Sequence, residues 1–398
     1  MYYPIYSYSY SVPYLLFALF LLLLMYYEHC GKMKRDKVRA FCMVAFLLFG
    51  GLRGFIFYDW MGYYPMFDAV DTLWNLNGGS FTMMLADGKE LDLVEPGFVL
   101  YMSVIKTVWN NWFFFILLST AIDVWAFDKL FQRYSPNYAF AFFVFFTLHL
   151  GMEFNLLRNV KSLVVFFLAL DSIYKRRLGQ FALWTLLGLS FHRTFLLLVP
   201  FYFVGLKDFG KRVWWTVFVI VNVIYLLQIP VVSSLLGPVA EFLGGGFAAK
   251  AAVYQESDIY SAARGFTLGY IIRFVTFLLV VVNYRWILSY RKDYVLILNV
   301  FLLYIIVNIG MTDMSVFVNR METLLGFSLW LVYPLLFYCM SGWKRQLYTA
   351  FVVSYCLLRM VGATSNAMCD YENVLFGASS FEERYTTHRG IANEIMNK

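Results

Sequence analysis

Apolar runs of 13 to 23 residues alternate with short charged punctuation along most of the chain. A helix needs about 20 apolar residues to cross a bilayer, with about 17 as a lower limit. On that measure the runs at 8–27, 40–57, 111–131, 137–152, 160–174, 179–191, 194–206, 213–235, 267–288, 294–310, 320–340 and 346–361 predict about twelve spans. The pair 179–191 and 194–206 is short, and reads equally as one long broken helix or a tight hairpin. Residues 96–108 are apolar enough for a short span, but counting them would invert the charge pattern of every later loop. They are placed at the outer interface as an amphipathic or re-entrant helix.

The predicted fold is therefore all-α, a polytopic transmembrane helical bundle. Residues 1–361 form the membrane domain, with long outer loops at 58–110 and 237–266, and 362–398 form a polar C-terminal tail. The first run, Tyr8 to Tyr27, has no basic residue before it and no small-residue cleavage site after it, so it predicts a retained span rather than a signal peptide.

Charge gives the orientation. Basic clusters follow alternate spans: Lys32, Lys34, Arg35, Lys37 and Arg39; Lys129 and Arg133; Lys175, Arg176 and Arg177; Lys207, Lys211 and Arg212; Arg285, Arg291 and Lys292; Lys344 and Arg345. Twelve spans place all of them on one face, which the positive-inside rule makes cytoplasmic and which puts both termini outside.

Composition agrees with this reading. The chain is 61% hydrophobic and 14% charged, against about 25% charged in a soluble domain. Its net charge of +7 is dispersed in loops with no basic stripe, which argues against a nucleic-acid partner. Five scattered cysteines form no CxxC pair, and His149 with Glu153 finds no third ligand at suitable spacing, so no metal or cofactor is expected. Gly244-Gly245-Gly246 lacks the Lys-Ser/Thr of a P-loop and reads as a flexible loop.

A second set of ionisable residues carries the candidate chemistry. Arg53, Arg158, Lys161, His192, Arg193, Arg264, Arg273 and Arg320 lie near outer helix ends, against the topogenic bias. Such residues are costly unless they are paired or line a wet cavity. Together they suit an anionic ligand, and guanidinium groups suit phosphate oxygens. His192, at the break in Ser190-Phe191-His192-Arg193-Thr194, is the candidate proton acceptor, with helix-break capping as the plainer alternative. Asp59 is a candidate partner for Arg53 or, with Tyr63, for sugar. Glu95, just before Pro96, reads equally as a helix cap or a site residue.

The order Arg53…Asp59…Tyr63, Glu95-Pro96-Gly97-Phe98, Asn155-Leu156-Leu157-Arg158-Asn159, Phe191-His192-Arg193-Thr194 with Pro200 and Tyr202, Arg320-Met321-Glu322 and Tyr371-Glu372-Asn373 resembles the EpsG family. Its members are polytopic proteins of bacterial exopolysaccharide and capsule operons, similar to Wzy-type O-antigen polymerases. The chain departs from the family pattern at Asn159, where Gln is usual, and at Thr323-Leu324, where an aromatic is usual.

The resemblance implies a GT-C-like fold in the bacterial inner membrane. It implies metal-free, inverting transfer of a polyprenyl pyrophosphate-linked oligosaccharide onto a sugar hydroxyl, with a flippase and a chain-length regulator as partners. It assigns His192, Arg158 and Arg320 to catalysis, and Arg53, Asp59, Tyr63, Glu95, Asn155, Lys161, Arg193 and Tyr371 to substrate binding. Competing readings are a flippase of lipid-linked oligosaccharide, an O-antigen ligase and a membrane acyltransferase.

Overall fold

The computed structural model describes residues 5–76, 94–232, 234, 267–313 and 315–396. Within them the chain is helical, with two isolated antiparallel bridges and no strand. The helices are α1 (Val12–His29), α2 (Arg35–Phe46), α3 (Trp60–Ala69), α4 (Pro96–Val108), α5 (Trp112–Tyr134), α6 (Tyr138–Asn155), α7 (Leu157–Tyr174), α8 (Leu178–Phe191), α9 (Pro200–Val204), α10 (Gly210–Leu226), α11 (Leu268–Tyr290), α12 (Tyr294–Gly310), α13 (Ser315–Leu325), α14 (Phe327–Cys339), α15 (Gly342–Thr364) and α16 (Phe381–Met396). Residues 87–92 of the acidic loop, Gly244–Gly246 and Arg264 lie outside the described residues.

Helix covers part or all of each apolar run expected to span, but length separates the expectation from the structure. Among the described residues, three helical stretches are long and apolar enough to cross a membrane: Tyr8–His29, α11 and α15. Two bent pairs raise the number to five, α6 with α7 at 120° and Val318–Leu325 with α14 at 55°. The run 40–57 shows one reason the expected twelve are not all long helices. Its helix ends at Phe46, passes through a π-turn at Leu47–Gly51 and opens into a loop. The run 194–206 is likewise split, into a 3-10 turn at Arg193–Leu198 and the five-residue α9.

The chain divides into two compact units, residues 1–202 with 349–398, and residues 203–348. In the first unit the helix ends are tied by side chains. Glu28 near the end of α1 accepts from the backbone N–H groups of Tyr138 and Ala139, both at 3.0 Å, so its carboxylate caps the positive end of α6. Arg39 of α2 grips Asp128 of α5 with two nitrogens, at 2.6 and 3.1 Å. Asn111 and Asn137 cap α5 and α6 through the N–H groups of Phe114 and Phe140.

An aromatic core fills the space between α3, α4 and α5. Phe55, Trp60, Tyr63, Phe67, Phe98, Trp112 and Phe115 are all buried there. Residues 362–396 are tied to the rest of the first unit. Asn366 bridges to Tyr6 and Asn373 to Arg53. Phe381 of α16 stacks on Tyr64 with ring centroids 4.2 Å apart. Arg384 is buried between the Phe55 carbonyl, Glu372 and Asp370.

The second unit packs α10, α11, α12 and α14. Its core includes Trp214, Phe218, Phe277 and Phe301, and Asn299 ties α12 to the Gly205 and Lys207 carbonyls at 2.8 and 2.9 Å.

Candidate functional site

Arg158 is the second residue of α7, just past the 120° bend. A cation at a helix N-terminus works against the helix dipole, so its charge needs an answer elsewhere. Glu95 gives it: Arg158 Nη1 donates to Glu95 Oε2 at 2.8 Å. Glu95 precedes α4, yet its side chain does not cap that helix. Its other oxygen, Oε1, lies 4.0 Å from His192 Nε2. Tyr63 of α3 also faces the Arg158 guanidinium. Burial raises the pKa of the Tyr63 hydroxyl above its ordinary 10.0, against an opposing effect of Arg158. Residues from four separated stretches thus meet within the first unit.

Two glycines make this approach possible. A Cβ on Gly97 would fall 2.2 Å from Ser190 Oγ and 2.7 Å from the Ser190 carbonyl oxygen. The first turn of α4 therefore presses directly on the end of α8, and carries Glu95 toward His192. A Cβ on Gly188 would fall 2.0 Å from the Phe195 ring. That lets the chain after the break fold back against α8, with His192 at the corner in an extended conformation, φ −163° and ψ 135°.

The imidazole has a defined hydrogen position. The Thr194 backbone N–H donates to His192 Nδ1 at 3.2 Å, and Thr194 Oγ1 lies 2.8 Å from the same nitrogen. A backbone N–H can only donate, so Nδ1 is an acceptor and the ring hydrogen sits on Nε2, toward Glu95. The capping role expected as the plainer alternative is present, since His192 caps the 3-10 turn at its own N-terminus.

Arg158 keeps capacity for a ligand. Its side chain is 27% exposed, and its buried Nε has no hydrogen-bond partner among the described residues. A partly open guanidinium held by a single carboxylate contact offers its donors to an incoming oxyanion, beside that carboxylate or in exchange for it. Arg193, next to His192, is exposed.

The other expected site residues have different surroundings. Arg53 is buried, donates to the Gly50 carbonyl at 2.5 Å and Thr120 Oγ1 at 3.1 Å, and lies 4.1 Å over the Phe154 ring. Asp59 stands at the start of α3. Lys161 is buried against Asp123 and the Ser119 carbonyl. Asp123 and Glu153 are also buried and face Arg53 and Lys161, so two acids and two cations close a separate internal network. Lys161 is the counter-charge that answers the buried Asp123 carboxylate.

Asn155 Oδ1 accepts from the Tyr58 and Asp59 N–H groups at 2.9 and 3.2 Å, and so fixes the loop leading into α3. The Tyr371 hydroxyl donates to the Phe49 carbonyl at 2.9 Å, and its ring stacks on Phe49. Both act as ties between segments. Asp171 meets Lys175 at 3.4 Å, one turn on, and also Arg133. Arg320 lies in the second unit, exposed on α13. Arg273 of that unit is buried and pairs with Glu322 at 3.3 Å.

The apolar helices and the internally paired charges define a helical membrane protein, whose first unit joins an arginine, a glutamate and a histidine. The chain belongs to the EpsG family, a Wzy-like polymerase family whose model matches residues 37–374. No curated protein and no solved structure matches the chain.

Proposed function

We propose that the protein polymerises polyprenyl pyrophosphate-linked oligosaccharide repeat units into a capsular or exopolysaccharide, on the outer face of the bacterial inner membrane. The observation that carries this reading is the meeting of Arg158, Glu95 and His192 in a member of a polymerase family. In this account Arg158 takes a pyrophosphate oxygen of the donor, with the positive end of α7 beside it. Holding that leaving group favours cleavage of its bond to the anomeric carbon. The Glu95–His192 pair receives the proton of the attacking sugar hydroxyl. Attack from the opposite face of the ring inverts the anomeric carbon. Tyr63 orients Arg158. Arg320, in the second unit, is kept as a catalytic candidate on the family resemblance alone.

The test is reconstitution. Purified protein in liposomes, given lipid-linked repeat units, should yield a ladder of products on a gel. Unjoined single units, moved across the bilayer, would replace this reading with the flippase.

A further inference from the structure

The positions of the three side chains divide the proton work in a way that the resemblance does not. The neutral His192 ring has no nitrogen ready to accept a proton. Nδ1 already accepts from Thr194, and Nε2 carries the hydrogen. Glu95 Oε1, 4.0 Å from Nε2, is a full acceptor. That separation is too long for a direct hydrogen bond, but a hydroxyl oxygen about 2.8 Å from each, set about 2 Å to one side of the line joining them, would bond to both. Such an oxygen would receive a hydrogen bond from Nε2 and point its own hydrogen at Oε1.

The opposite edge of the same carboxylate is bound to Arg158 at 2.8 Å. A pyrophosphate oxygen arriving on that guanidinium competes with Glu95 Oε2 for the same donor. Taking a cation away from beside any carboxylate favours its protonated form.

We infer that Glu95 is the proton acceptor, and that donor binding at Arg158 releases it for that task; this rests on the polymerase reading above. The acceptor hydroxyl, held by His192 Nε2–H, gives its proton to Glu95. Its O–H electron pair forms the bond to the anomeric carbon. The bond from that carbon to the pyrophosphate breaks, and its pair leaves with polyprenyl pyrophosphate. The released base is ready only when a donor is seated, which discourages unproductive attack by water.

The experiment compares wild type, Glu95→Gln and His192→Gln, all full length in liposomes. It measures turnover on lipid-linked repeat units and the Kd of polyprenyl pyrophosphate itself. Glu95→Gln should cut kcat by about 10²- to 10⁴-fold, the usual worth of a general base. It should also tighten polyprenyl pyrophosphate, because the competing carboxylate is gone. His192→Gln keeps an N–H donor and should lose less turnover than Glu95→Gln.

A structural role for Glu95 would weaken binding and turnover together, and that result overturns the inference. So does near wild-type turnover in Glu95→Gln, or a greater loss in His192→Gln. If Glu95→Gln does not reach the membrane, Glu95→Asp carries the test. Its shorter reach should tighten polyprenyl pyrophosphate while slowing turnover, and weaker binding overturns the proposal. Wild-type protein that joins no units refutes the polymerase reading itself, and this inference with it.

Discussion

Gly97 and Ser190 touch so closely that no side chain fits between them. A Cβ on Gly97 would fall within 3 Å of three Ser190 atoms, one of them the backbone oxygen. Rotating the serine cannot remove that last contact. Gly97→Ala should therefore push α4 away from α8 and draw Glu95 away from His192. Overpacking of this kind costs about 1–3 kcal/mol. Thermal unfolding should show the destabilisation and chain elongation should drop. Adding Ser190→Gly should restore part of both, since it removes the hydroxyl and Cβ but leaves the carbonyl.

Arg158 is expected to be intolerant of lysine. A point charge can meet Glu95 or a phosphate oxygen but does not present the planar fork. Truncating a buried charge-assisted contact costs about 2–5 kcal/mol in binding. Arg158→Ala should weaken polyprenyl pyrophosphate binding by that order, and Arg158→Lys should remain impaired. Equilibrium binding of polyprenyl pyrophosphate to the purified variants checks both.

The internal network should behave as a stability element. Lys161→Met leaves Asp123 buried without its ammonium. Breaking one side of a buried ion pair typically costs about 3–5 kcal/mol. The double variant Lys161→Met with Asp123→Leu removes both charges and should unfold at a higher temperature than the single one. Thermal melts in one detergent decide the order.

His388 of α16 gives a pH dependence. Burial, helped by Arg384, pushes its pKa down from 6.5 to about 4. Its Nδ1 donates to the Arg384 carbonyl at 3.0 Å, and its ring meets Trp60 edge-on at 5.6 Å. The undocked imidazole takes up a proton near pH 6.5 and the docked one only near 4. The stabilisation is thus present above 6.5 and is lost as pH falls toward 4. Hydrogen exchange in α16 should quicken across that window, and His388→Gln should flatten the response.

Much of this was readable from the sequence, because helix periodicity and apolar runs are local properties. Helix covers part or all of each expected span, and Glu95, Arg158 and His192 were all singled out. Their mutual contacts were not readable. Glu95 and Arg158 are 63 residues apart and meet only through the tertiary fold, and Glu95 comes near His192 because Gly97, which lacks a Cβ, packs against Ser190. Charge against the topogenic bias identified Arg53 and Lys161 as unusual. It could not tell a ligand site from internal burial, since Asp123, which pairs with Lys161, and Glu153, whose charge faces Arg53 and Lys161, lie on two other helices. The docking of residues 362–398 was hidden because its ties, such as Arg384 to Glu372, carry no periodic signal.

The central claim is that this chain joins sugars by expelling a lipid pyrophosphate. The most direct measurement counts polyprenyl pyrophosphate released against glycosidic bonds formed, using purified protein in liposomes with lipid-linked repeat units. The account predicts one lipid pyrophosphate per bond, with both products falling together in Arg158→Ala. Lipid-linked units that cross the bilayer intact, with no release of polyprenyl pyrophosphate, would contradict it.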